Sequence, residues 1–228
     1  MSTLAFDHVV IYVPNLEQAI KRFTDLGFTV QLGGEHEYTV NALIVFNDQF
    51  YIELLCLKST WRRPLLLLAA RLGLIHLLSK SKNNISWRLL PWMTMPYGPI
   101  DWCMRSDDIK STLKRLMPTA TVILNSQSYQ RVRPDGQHVR WELGGAKNID
   151  LPYLIEDKTP IGMRIPLGVD TVHRNGARQL RQINISPKNT LATAKSLSVL
   201  LGASINNKKD GISISLDHVS IYLIEPFD

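Results

Sequence analysis

Residues 6–27, FDHVVIYVPNLEQAIKRFTDLG, carry the pattern on which the fold turns. The opening run is mainly β-branched and aromatic, which suits a strand. Pro14 and Asn15 interrupt it, and Leu16, Ile20, Phe23 and Leu26 then recur at helical spacing until Gly27 stops them. FTVQL (28–32), NALIVF (41–46) and FYIELLCL (50–57) follow as three strands, with Asn47-Asp48 as the turn between the last two. The unit reads βαβββ.

The same order returns twice. IDWCMRS (100–106) is strand-like, and Asp107 or Asp108 caps a helix bearing Ile109, Leu113 and Leu116 that Pro118 ends. A shift of 93 lays Leu16, Ile20 and Phe23 on those three positions without a gap, the mark of an internal repeat. TVILN (121–125), a run near SYQRVR (128–133), HVRWEL (138–143) after the Pro134-Asp135-Gly136 turn, and PYLIE (152–156) complete the second unit. A third pass runs through LRQINIS (180–186), a helix from about Thr190 to Leu201 stopped by Gly202, then ASINN, ISISL and VSIYLIE, with Asp210-Gly211 as a turn. The fold class expected is α+β: tandem βαβββ modules over 1–57 and 100–160, a third, more divergent unit over 161–228, and an insertion over 58–99.

That insertion is rich in leucine and basic residues. Lys58, Arg62, Arg63, Arg71, Lys80, Lys82 and Arg88 fall between Lys58 and Pro99 with no Asp or Glu among them, so the formal charge of +6 is a local imbalance. No zinc-finger, helix-turn-helix or RNA-recognition signature accompanies it, and nucleic acid is not expected as a partner. A helix from about Pro64 to Ser79 is predicted, apolar nearly all round. Three readings stand for it: a lid over a barrel mouth, a homodimer contact, or an anionic membrane surface with Arg62, Arg63, Lys80 and Lys82 as its basic flank. The stretch is too short to span a bilayer. Cys56 and Cys103 lie in apolar runs and read as small buried hydrophobes, so a disulfide framework is not expected and a cytoplasmic location is.

A tandem βαβββ repeat that opens with DHVVIYVPNLEQAIKRFTDLGF and closes its first unit with YIELL resembles the vicinal oxygen chelate superfamily of glyoxalase I, extradiol dioxygenases and bleomycin resistance proteins. More narrowly it resembles the glyoxalase-like domain family, through Gly33, Gly34 and His36, through Asn41 to Ile44, through Arg133 to Gly136 with Arg140 and Trp141, and through Pro152 to Glu156. The resemblance implies open mixed β-barrels whose interior holds a divalent metal or a small molecule. It places His8 and Glu53 where metal-binding members have an imidazole and a carboxylate, a pair suited to iron, manganese, zinc or nickel. At the matching second-unit positions it sets Asp101, with Trp102 beside it, and Ile155 or Glu156 according to register. His8, Glu53, Asp101 and Glu156 are thus the candidate ligands, and a metal-free protein is the alternative.

Each candidate has a plainer reading. His8 serves equally as a hydrogen-bonded strand histidine, Glu53 as the ion-pair partner of Arg133 or Arg140, and Asn41 as a strand-edge residue. His36, Asn41, Trp102, Arg133, Arg140 and Trp141 are the candidate substrate contacts. Arginines at 131, 133 and 140 beside Trp141 suit an anionic organic molecule, and a charged edge strand competes with that reading. The sequence supports a cavity protein that binds a small, anionic organic molecule. Metal-assisted isomerase, lyase or dioxygenase chemistry, non-catalytic sequestration and membrane-surface association all remain open, because a fold does not dictate a reaction.

Overall fold

The computed structural model describes residues 3–35, 38–59, 63–74, 83–119, 121–132, 136–165 and 171–224. The first unit contains β1 (Leu4–Tyr12), α1 (Leu16–Asp25), β2 (Gln31–Glu35), β3 (Thr39–Val45) and β4 (Tyr51–Leu57). The insertion supplies α2 (Arg63–Arg71), the single turn α3 (Ser86–Leu89) and a 3₁₀ turn over Leu90–Thr94. The second unit follows as β5 (Gly98–Ser106), α4 (Ile109–Lys114), β6 (Ile123–Val132), β7 (His138–Ala146) and β8 (Tyr153–Asp157), closed by the short α5 (Ile161–Arg164). The third comprises β9 (Gln182–Ile185), α6 (Thr190–Leu201), β10 (Ile205–Lys208), β11 (Gly211–Leu216) and β12 (Val219–Ile224).

All three units share one construction. Asn15, Asp108 and Asn189 each accept a backbone N–H three residues on, from Gln18, Ser111 and Ala192, and so cap the first turn of their helices. Within each unit the fourth strand runs parallel to the first: β4 to β1, β8 to β5, β12 to β9. The first two units join through antiparallel pairing of β1 with β5, giving a curled half-barrel of eight strands ordered β2-β3-β4-β1-β5-β8-β7-β6. The third forms a separate sheet of four strands ordered β10-β11-β12-β9.

The β1–β5 ladder carries two register shifts, which leave Asp7 unpaired on one strand and Ile100 on the other. These positions are equivalent under the 93-residue shift, so both units bend at the same place. A bulge breaks the strict in-out alternation of a strand. It therefore allows the neighbours Asp7 and His8 to meet side chain to side chain.

The convex face of the half-barrel carries the main core, in which Ile44, Leu54, Met104 and Ile109 pack with Leu197 and Ile221 of the third unit. A second cluster, containing Val10, Leu55, Cys103, Leu143, Tyr153 and Ile155, lies on the concave face. Some expectations need correcting. TVILN and the run near SYQRVR form one strand, β6, bent by a register shift between Leu124 and Gln127, because Asn83 and Asn84 of the insertion dock on Asn125 there. Leu26 caps α1 and is exposed. The predicted leucine helix is shorter, since Gly73 takes a positive φ two residues after α2 ends, and residues 75–82 lie outside the described segments. No described helix is long and apolar enough to cross a membrane.

Candidate functional site

The concave face encloses a cavity of about 740 Å³, within the size range of small-molecule sites. Its walls come from both units, including His8, Asn41, Tyr51 and Glu53 from the first and Tyr129, Arg131, Trp141 and Tyr153 from the second. Its roof comes from the insertion, through Ser86, Leu89, Leu90, Trp92 and Met93. A lid is therefore present, but it lies downstream of the leucine helix. Leu65, Leu68, Leu72 and Leu74 are exposed, and Arg63 ties the start of α2 to the roof by a bond to the Met95 carbonyl (3.0 Å) and a cation–π contact with Tyr97 (4.2 Å).

His8 sits at the floor, stacked on Tyr51 at 4.5 Å between ring centres. Its Nδ1 lies 2.6 Å from Asp7 Oδ1, and its Nε2 meets the Tyr153 hydroxyl and lies 3.5 Å from Glu53 Oε2. Asn41 Nδ2 donates to Glu53 Oε1 at 2.6 Å. Because an ionised carboxylate only accepts, this bond fixes the orientation of the Asn41 amide. Gly33 leaves room for it: a Cβ there would stand 2.3 Å from Asn41 Oδ1.

Behind His8, Asp7 is wholly buried and held by Arg164 through Nη1 (3.0 Å) and Nη2 (2.8 Å). Arg164 also binds Asp157 through Nε (2.6 Å) and donates to the Tyr51 hydroxyl (2.9 Å). Burial alone would raise the Asp7 pKa, but the Arg164 guanidinium and the His8 ring outweigh it and hold the carboxyl well below the usual carboxylate range. Asp7 is thus a fixed anion, which accepts the Nδ1 proton and keeps it on that nitrogen. Burial pushes the phenols of Tyr51 and Tyr153 well above 10, so both are neutral donors.

The second unit spends its equivalent position differently. Asp101, matching His8, is buried and gripped from the insertion by Arg88, through Nε (3.0 Å) and Nη2 (2.6 Å), while Trp92 Nε1 (3.0 Å) and the Trp102 amide (2.8 Å) add further bonds. Arg88 also donates to the carbonyls of Ala146, Asn148 and Leu151. The register is now fixed. Glu53 pairs with Val10 and Tyr153 with Cys103, and Val10 and Cys103 are equivalent, so Tyr153 is the counterpart of Glu53.

These facts correct several expectations. Asp101 is a buried post under the roof, its oxygens taken by Arg88 and Trp92. Glu156 faces away from the cavity and accepts from the Ile109 amide and from Lys158, capping α4. Trp102 stacks on Phe6 in the convex core, away from the cavity. Arg140 is exposed on the opposite face of β7 from Trp141, as strand alternation requires. His36 and Arg133 lie outside the described residues. Of the described members of the arginine group, Arg131 lines the cavity and Arg140 does not; Arg131 donates to the carbonyls of Gly33 (2.9 Å) and Arg164 (2.8 Å) and so clasps β6 to β2, the two edges of the half-barrel. His8, Glu53, Asn41 and Trp141 do share the cavity. Asp7, Tyr51, Tyr153, Arg88 and Arg164 were missed. Asp7 was readable only as the charged neighbour of a strand histidine, and the two arginines lie in segments without periodicity.

A resident divalent metal needs three or more protein donors in most sites. Of the four equivalent positions, His8 and Glu53 offer donors, Asp101 is consumed and Tyr153 is a neutral phenol. Asp7, His8 and Cys103 also bring ligand atoms within 4.8 Å of one another. There Asp7 is already held by Arg164, and burial pushes the Cys103 thiol well above its usual value, so an ion would have to displace the arginine and expel the thiol proton. Among the described residues, neither set offers three free donors to the group.

The sequence profile described as glyoxalase-like domain matches residues 6–201. No curated protein is significantly similar in sequence. Among solved structures, a hypothetical protein from Staphylococcus aureus is similar with a TM-score of 0.70 at 17% identity, covering 98% of this chain and 87% of that one. A Mn(II)-bound glyoxalase from Novosphingobium aromaticivorans gives a TM-score of 0.48 at 10% identity over 98% and 63% of the two chains. Methylmalonyl-CoA epimerase from Mycobacterium tuberculosis gives 0.41 at 15% identity over 69% and 91%.

Proposed function

The chain belongs to the glyoxalase-like domain family, and on that premise we propose that it binds a small organic molecule in the half-barrel and moves a proton on it. The observation that carries this reading is His8, whose Nδ1 is held by the buried Asp7 carboxylate, kept ionised by Arg164, while Nε2 faces the cavity. A histidine so held has one basic lone pair, directed at the ligand.

When an oxygen of the ligand takes over the hydroxyl proton that Tyr153 gives to Nε2, that lone pair is released. Tyr153 then donates to the ligand oxygen and stabilises charge developing on it. Nε2 accepts a proton from the adjacent carbon or hydroxyl. Glu53, 3.5 Å from Nε2 and oriented by Asn41, stabilises the imidazolium, and Nε2 itself returns the proton to the ligand. The set suits isomerase or lyase chemistry next to a carbonyl. Tyr129 and Trp141, stacked at 13° between their planes, offer a flat apolar wall, and Arg131 stands where an anionic end of the ligand would meet it.

The test is deuterium uptake. The protein is incubated in D₂O with a panel of small 2-oxo and 2-hydroxy acids, and exchange at the adjacent carbon is followed by NMR. Exchange catalysed by the wild type and lost in His8→Asn supports the proton-transfer reading. Saturable binding of panel members without exchange supports a sequestering protein in its place.

A further inference from the structure

The half-barrel exists because the first strands of two units, β1 and β5, pair antiparallel. Val9 faces Trp102, its own equivalent, with His8 opposite Cys103 and Val10 opposite Asp101, so the ladder has a local two-fold centred on Val9 and Trp102. The third unit has the same strand order and the same helix cap. Asn15 to Asn189 is a shift of 174, which places Gln182, Ile183 and Asn184 of β9 at the positions of His8, Val9 and Val10. Yet among the described residues β9 is an edge strand, bonded to β12 alone.

That edge is open. The Ser220 amide donates to the Arg181 carbonyl. Alternate residues of a strand turn their backbone groups to the same side, so those of Gln182 and Asn184 point away from β12. Both side chains are exposed and bond to one another at 2.5 Å. Ile183 and Ile185 pack toward the core of the unit. No charge blocks the strand itself, the device by which lone edges are commonly protected.

We propose that a second copy of this chain pairs with β9 in the register that β1 and β5 use, Ile183 on Ile183, with Gln182 facing Asn184 of the second copy. A pairing centred on one residue is isologous, so it closes as a dimer and does not propagate. It joins two four-stranded sheets into an eight-stranded one. The face opposite the core, bearing Gln182, Asn184, Ser213, Ser220 and Tyr222, becomes a concave surface shared by both copies. Tyr222 pairs with Asn184 as Glu53 pairs with Val10, so it occupies the place that Tyr153 holds in the second unit.

Sedimentation equilibrium on the full chain tests this, together with hydrogen exchange read at the Gln182 and Asn184 amides. The wild type is expected at the mass of two copies with both amides protected. Gln182→Lys with Asn184→Lys sets like charges across the two-fold and is expected to yield single copies at an unchanged thermal midpoint. Gln182→Glu with Asn184→Lys sets opposite charges across it and is expected to remain double, which separates loss of pairing from loss of fold. A wild type of one copy overturns the proposal. So does a dimer that survives the double lysine variant or leaves both amides unprotected, which would place the contact elsewhere, such as on the exposed leucines of α2.

Discussion

His8 and Asp101 hold the same place in two copies of one unit, beside bulges at the same place, and an arginine from outside the strands governs each. At His8 the arginine grips the neighbour, Asp7, and leaves the imidazole facing the cavity. At Asp101 the arginine grips the residue itself and draws it under the roof. A duplicated backbone thus supplies two equivalent positions, and what reaches them from non-repeating segments decides which becomes chemical and which structural. The first unit keeps a cavity-facing imidazole, and the second keeps a post.

If that division is correct, the largest loss of stability should come from the post. Arg88→Met leaves Asp101 buried without its partner and should cost about 3 to 5 kcal/mol in urea unfolding. Adding Asp101→Asn should recover part of it, because the stranded charge goes. A loss below about 1 kcal/mol would show that Asp101 is not structural.

The chemical half should respond in the opposite sense. Glu53→Gln should lower catalysed deuterium exchange by about 10²-fold or more while changing stability by less than about 1 kcal/mol. Asp101→Asn should do the reverse, lowering the unfolding midpoint with exchange retained by the folded fraction. Equal effects of the two substitutions on exchange would erase the distinction between the halves.

A smaller effect is expected at Gly33→Ala. The new methyl meets Asn41 Oδ1, so the amide must swing and its bond to Glu53 loosens. A cost of about 1 to 2 kcal/mol follows from overpacking at this site, and exchange should fall with it if Asn41 orients Glu53.

The mildest test is acid. The folded pKa of Asp7 lies below its unfolded value of about 3.9, so its contribution to stability is fully present above that value and is lost as pH falls through the folded pKa. Wild-type stability should therefore decline below about pH 4. In Asp7→Asn that part of the slope should be missing, measured as urea midpoints from pH 5 downward. Parallel profiles would mean that Asp7 is no better held folded than unfolded.

The fold was legible because its signals are local and repeated. Helix faces at a constant shift, glycines or prolines at their ends and alternating strands need no knowledge of distant contacts, and three passes reinforce one another. The site was legible only where the repeat itself placed a residue, as at His8, Glu53 and Asn41. Asp7 was hidden because alternation sends it away from His8, and only the bulge overturns that. Arg164 reaches Asp7 from 157 positions along the chain. Arg88 looked like one of seven solvated charges, yet it is buried with all its donor nitrogens engaged. Arg140 failed for a simpler reason: it and Trp141 are consecutive in a regular strand, so both cannot face one cavity.

The roof has an evolutionary consequence. Its cavity-facing side chains fall within Ser86 to Met93, between two units whose own strands need not change when the roof does. A lineage can therefore alter the size and polarity of what fits below by replacing one short contiguous segment, leaving His8 and Glu53 at the floor intact. The exchange is constrained at two points, because Arg88 and Trp92 belong to the same segment and both hold Asp101. Relatives with divergent ligands would then differ in the other residues of the roof while sharing this pair.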